Sequence, residues 1–130
     1  MPERTLHTIE VAVRQSWGLD TCDPIDVPNW SPDRPSRGQC AVTALVVRDL
    51  VGGELLEAEV HFLDGRRQGF HYWNRLPGGI DVDLTAEQFS PDEAIQEPKV
   101  VERPPGPPLR GAEQYEIFRT RVRSALGLTA

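Results

Sequence analysis

Lysine is almost missing from this chain: Lys99 stands alone against thirteen arginines. With twelve prolines, that bias matches a GC-rich genome and carries no chemistry. Cysteine is equally scarce. Cys22 and Cys40 are the whole supply, and in a reducing compartment two such residues read as free thiols rather than a structural bridge. Positive charge is in deficit as well, with 14 basic residues against 20 acidic ones, a net charge of -6 and a pI near 5.0. That excess of acid argues against nucleic acid or an anionic membrane as partner, since either would be repelled. No apolar run approaches the roughly 18 residues of a membrane span. The opening "MPERTLHTIE" has no signal-peptide core, so a cytoplasmic protein is expected.

Two further absences narrow the chemistry. There is no closely spaced Cys or His pair, so no metal site is expected. Gly52-Gly53 and Gly78-Gly79 do not join a strand to a helix, and they read as a helix stop and a turn rather than a phosphate cradle. No cofactor is implied.

What is present suffices for one α+β domain over 1–130. Thr5 caps a first helix whose stripe is Leu6, Ile9, Val13 and Trp17, closing near Gly18. A stretch with four prolines, "DTCDPIDVPNWSPDRPSRG", follows without periodicity. Loops of that length in small domains are usually functional or lie over a site. A central helix is expected over Ser36 to Val51, with Ser36 and Gln39 in capping-box spacing and Gly52-Gly53 as the stop. Three strand-like runs, "ELLEAEVHFL", "GFHYWNRL" and "IDVDLT", make an antiparallel meander. Thr85 and Gln88 then repeat the capping-box spacing at a short helical turn. Residues 98–110 form a Pro-rich connection to a last helix near Gly111 to Leu126, with Tyr115, Phe118 and Val122 on its apolar stripe.

Cys40 is the residue that asks for chemistry. A cysteine in the first turn of a helix meets the positive end of the dipole and unpaired backbone N–H groups, both of which favour thiolate. The same position also suits a small buried residue, so helix placement leaves the two readings open. A thiolate nucleophile needs a proton carrier, and the chain offers His7, His61 and His71. His71, inside the aromatic run "FHYWN", has the best context. A three-residue loop Pro77-Gly78-Gly79 pairs Leu76 with Ile80, His71 with Thr85 and Trp73 with Asp83. Odd-numbered residues then share a face, which makes Asp83 the diagonal neighbour of His71. A carboxylate there fixes an imidazole tautomer, as the third member of a triad does. Asp81 lies further along the same face. The acids of "DVD" also suit a solvated strand face.

Three segments, "SWGLDT", "WSPDRPSRGQCAVTALVVRDLVGGELLEAEV" and "HYWNRLPGGIDVDLTAEQF", together resemble the YunG-like family of small bacterial proteins over residues 16 to 89. More distantly, the order Cys at a helix start, His on a strand and Asp on the next strand resembles the papain-like superfamily, above all its transglutaminase-like members. That resemblance implies a papain-like α+β fold with Cys40 as nucleophile, His71 as general base and acid, and Asp83 as orienting carboxylate. It implies an oxyanion site from the Cys40 N–H and a loop donor such as the Trp30 indole. It also implies substrate contacts from Trp17, Trp30, Gln39, Trp73 and Asn74. Ala41 stands where the larger families carry Trp, which alters the acyl pocket. Two functions follow as expectations: a cysteine-dependent amide or ester hydrolase or acyltransferase acting on a small molecule or peptide, or a non-catalytic ligand-binding module with the same pocket.

Overall fold

The computed structural model describes residues 5–103, 105–106, 108 and 110–128. Part of the expected 98–110 connection therefore lies outside the described residues. Three helices cover one antiparallel sheet in the order α1 (Leu6–Ser16), α2 (Cys40–Val51), β1 (Glu54–Phe62), β2 (Arg67–Arg75), β3 (Asp81–Val82), β4 (Glu93–Ile95), β5 (Lys99–Val101) and α3 (Ala112–Ala125).

Local chemistry sets the helix limits. Thr5 caps α1 by accepting from the Thr8 N–H, and Thr8 returns the bond to the Thr5 N–H. Ile9 and Val13 face the core, whereas Leu6, expected on the same stripe, is 41% exposed. α3 follows the expected stripe, with Tyr115, Phe118 and Val122 all buried. These residues join Val42, Val46, Val47 and Leu84 in one apolar core between the three helices and the sheet. The indole of Trp17 enters the same core and donates to the Thr43 hydroxyl at 2.9 Å.

α2 departs from expectation at its start. It begins at Cys40, not Ser36, because residues 34 to 39 are taken up by successive tight turns, Arg37 N–H to Arg34 O and Gln39 N–H to Ser36 O. The Ser36 hydroxyl is buried with no hydrogen-bond partner among the described residues, so the capping-box spacing there is accidental. Gly38 sits between those turns and the helix at φ 73°, where a side chain would be strained and would press on the Cys22 sulfur. The helix ends as expected at Gly52, φ 77°.

The sheet runs β3-β2-β1-β4, with β5 also on β1. The β2–β3 register is the one the three-residue turn demands: Asn74 opposite Val82, Arg75 opposite Asp81, and the Leu76 N–H on the Ile80 carbonyl at 2.8 Å. β3 is shorter than the run "IDVDLT", since the chain leaves the ladder after Val82 and enters a 3₁₀ turn at Ala86–Gln88. Two strands were hidden. β4 and β5 share the outer edge of β1, pairing with Val60 to Phe62 and with Leu55 to Glu57. The run "PKVV", expected in the Pro-rich connection, is thus partly sheet.

Candidate active site

Cys40 occupies the first position of α2, so its N–H and that of Ala41 have no intrahelical acceptor. The strand that packs most closely on this helix is β2, and it carries His71 with no exposed surface. The ring Nε2 meets Asp83 Oδ2 at 2.6 Å, and the Cys40 thiol lies near enough to the same ring to help raise its pKa. With Nε2 held by the carboxylate, the nitrogen left for the thiol is Nδ1. Trp73 stacks on one side of the ring at 5.2 Å and Phe89 meets it edge-on at 4.8 Å.

The electrostatics follow from these neighbours. Burial pulls the His71 pKa down, but the Asp83 hydrogen bond and the Cys40 thiol outweigh it, and the value rises from 6.5 to about 9. Asp83 is oriented in turn by the Thr85 N–H at 3.2 Å on its second oxygen. Asp81 is occupied elsewhere, since Arg75 binds it at 2.7 Å.

Gln88 completes the inner ring of groups. Its Oε1 accepts the Gly38 N–H at 3.1 Å, and its Nε2 lies 3.0 Å from Thr85 Oγ1 and 3.4 Å from His71 Nδ1. Behind it, buried Arg37 binds Glu93 at 2.8 Å, Asp26 at 3.2 Å and the Gln88 carbonyl at 3.2 Å. This ion network fastens the loop before α2 to the segment after β3.

A cavity of about 330 Å³ opens beside Cys40, walled by Gly38, Ala41, Tyr72, Gln88 and Phe89. A second cavity of similar size shares Ala41 and Tyr72 and continues over Leu45 and Leu55. Burial and the Glu57 carboxylate, which accepts the phenol at 2.8 Å, together push the Tyr72 pKa up, so this wall stays neutral.

Of the residues named from sequence, Cys40, His71 and Asp83 come together, with Trp73 against the histidine. The other four line neither cavity. Trp17 is core. The Trp30 indole is already committed to the Pro35 carbonyl at 3.0 Å, which removes it as a loop donor. Gln39 is fully buried, donating to Gly18 O at 3.0 Å and accepting from Thr21 at 2.7 Å, and Asn74 donates to the Ala44 carbonyl at 2.9 Å. All four brace the scaffold. Gln88, Tyr72 and Phe89 were missed as site residues, although Gln88 was visible as a capping-box partner. Cys22 is buried, and burial raises its pKa to about 12, so it stays a thiol. Among the described residues, no group of three His, Cys, Asp or Glu is placed to hold a metal ion, and no helix is long and apolar enough to cross a membrane.

A family model described as YunG protein matches residues 5–127. The chain belongs to the YunG family. One relative is the Uncharacterized protein YunG of Bacillus subtilis (strain 168), 32% identical over 84 residues, which span 65% of this chain and 63% of the relative. The aligned part thus spans less than two thirds of that relative's length. No solved structure matches the chain. Membership fixes the family while leaving the papain-like relationship and the activity to be argued from the site.

Proposed function

We propose that this YunG-family chain is a thiol-dependent acyl-transfer enzyme, a hydrolase or acyltransferase of amides or esters on a papain-like arrangement of Cys40, His71 and Asp83. The observation that carries the reading is the His71 ring: fully buried, held at Nε2 by Asp83 at 2.6 Å, with the Cys40 thiol near enough to help raise its pKa. A histidine with only a packing role has no need of a carboxylate on one nitrogen and a thiol as partner of the ring.

In the proposed reaction His71 takes the Cys40 proton, the sulfur attacks the carbonyl carbon, and a tetrahedral intermediate forms with its oxygen facing the Cys40 N–H. Collapse breaks the bond to the leaving group, which receives the proton from His71. Water or an amine then resolves the thioester. The two cavities on either side of Ala41 and Tyr72 fit a substrate that runs across the sulfur, with acyl portion and leaving group in separate lobes. A small molecule or an accessible peptide segment meets that description. The alternative, a non-catalytic ligand-binding module, would use this cavity without the tryptophan lining expected for it, because Trp17 and Trp30 are not on its wall.

The test is alkylation of Cys40 by iodoacetamide across pH 5 to 10, read by intact mass. The rate profile of the native protein should carry the His71 ionisation near 9, and His71→Ala should remove it and slow labelling at neutral pH by roughly tenfold. Identical profiles in both proteins would sink the reading.

A further inference from the structure

The cavity beside Cys40 and the one that continues from it differ in chemistry. The first presents Asp26, Arg37, Gln68 and Gln88. The second, of about 330 Å³, is lined by Ala44, Leu45, Leu55, Tyr72 and Pro108, and its charged groups are spent on one another. Glu57 accepts from the Tyr72 hydroxyl at 2.8 Å and lies 3.5 Å from Lys99, while Asp23 accepts from Arg110 at 2.7 Å. Glu102 is exposed to water. Ser36 Oγ, the one buried side-chain polar atom without a partner among the described residues, lies outside this lobe. What the lobe offers a ligand is therefore apolar surface. It also starts on the helix that carries the sulfur. Cys40, Ala41, Ala44 and Leu45 share one side of α2, with one turn of about 5.4 Å between Cys40 and the level of Ala44 and Leu45. Ala41, which has no side chain beyond Cβ, stands where the two cavities meet.

We propose that the second cavity is an acyl subsite that selects an unbranched apolar acyl group of medium length, hexanoyl to octanoyl, with Ala41 as its doorway and Leu45 limiting its depth. This rests on the thiol-enzyme reading above. In the acylation step a bond forms between the Cys40 sulfur and the carbonyl carbon. The bond to the leaving group breaks, and the leaving group departs with that electron pair and receives the His71 proton. The acyl group stays on sulfur as a thioester, its chain passing Ala41 toward Leu45 and Leu55, while the leaving group faces the polar cavity. A shorter chain leaves the apolar lobe unfilled, and a longer one meets Leu45.

The test compares acylation of Cys40 by the 4-nitrophenyl esters of acetate, hexanoate, octanoate and decanoate, each rate divided by that of the same ester with free cysteine. Each methylene taken out of water is worth roughly fourfold, so hexanoate should exceed acetate by roughly 30-fold or more in the native protein, with decanoate past the optimum. Leu45→Phe fills the lobe and should lower the hexanoate-to-acetate ratio roughly tenfold. Leu45→Ala deepens it and should make decanoate the best ester, a gain that damage to the fold does not produce. A native hexanoate rate within about threefold of the acetate rate, or a chain-length profile that both Leu45 variants leave in place, would overturn the assignment. Failure of every ester to acylate the native protein above the Cys40→Ala background would overturn the thiol reading itself, and this proposal with it.

Discussion

His71 is the group through which the site answers to pH. Its folded pKa of about 9 lies above the ordinary 6.5, a difference worth about 3 kcal/mol. Because the folded value is the raised one, that stabilisation is fully present below pH 6.5 and is lost as the pH rises through about 9. The urea midpoint should therefore drop between pH 6 and pH 10, and an NMR titration of His71 should give a midpoint near 9. Asp83→Asn should lower that midpoint by a unit or more and flatten the pH dependence of stability. Asp81→Asn should leave the midpoint alone, since its carboxylate is spent on Arg75. A midpoint that responds to Asp81 rather than Asp83 would contradict the geometry. At this scale the sequence was informative where a short-range rule applied. The Pro77-Gly78-Gly79 turn fixed the strand register up to Val82, and Asp83, the next residue, reaches His71 from just beyond the ladder. Trp30 and Gln39 misled because their hydrogen-bonding groups are satisfied by Pro35, Gly18 and Thr21, partners that no spacing rule announces.

Among the elements, two glycines at similar φ do different work. Gly53, φ 84°, ends the link from α2 to β1, where an added Cβ would strike the Arg75 carbonyl. Gly38, φ 73°, precedes the helix that presents Cys40, and its N–H is the anchor for Gln88. Alanine at either position should cost about 1–3 kcal/mol from backbone strain, with crowding in addition. Only Gly38→Ala should also slow Cys40 acylation, measured on protein shown to be folded by circular dichroism. Equal acylation in the two variants would separate the helix start from the chemistry. α1, α3 and the β2–β3 hairpin were legible because caps, stripes and turn residues act within a few positions. The late start of α2 was not, because turns at Arg34 to Gln39 override the Ser36 and Gln39 spacing. β4 and β5 were not legible either: three-residue strands have too little periodicity to read, and they exist because β1 offers an open edge.

Across the whole molecule, chain segments far apart in sequence meet at Arg37. Its guanidinium is buried against Asp26 from the long loop and Glu93 at the start of β4, while Glu93 also accepts from Gln68 of β2 at 2.7 Å. Burial raises the Asp26 pKa despite Arg37, whereas Arg37, Ser90 and Gln68 hold Glu93 below its ordinary value despite burial. Removing one partner of such a cluster strands the rest, at about 3–5 kcal/mol. Arg37→Ala should accordingly lower the unfolding free energy by that order, whereas Arg14→Ala, in an exposed pair with Glu10 and Glu87, should cost under about 1 kcal/mol. Denaturant melts of the two variants check this. An α+β chain with helices at both ends was legible from composition and order. The buried ion network was not, because in sequence Asp26, Arg37 and Glu93 look like any solvated charges.

The bond from the Gly38 N–H to Gln88 Oε1 has a bearing on how assembly of the site is observed. One buried backbone amide, two residues before the sulfur, gives its proton to a single side chain from the 3₁₀ turn that follows β3. Its proton trades with deuterium only when Gln88 lets go, so a single exchange rate on a single glycine measures how often the halves of the site come apart.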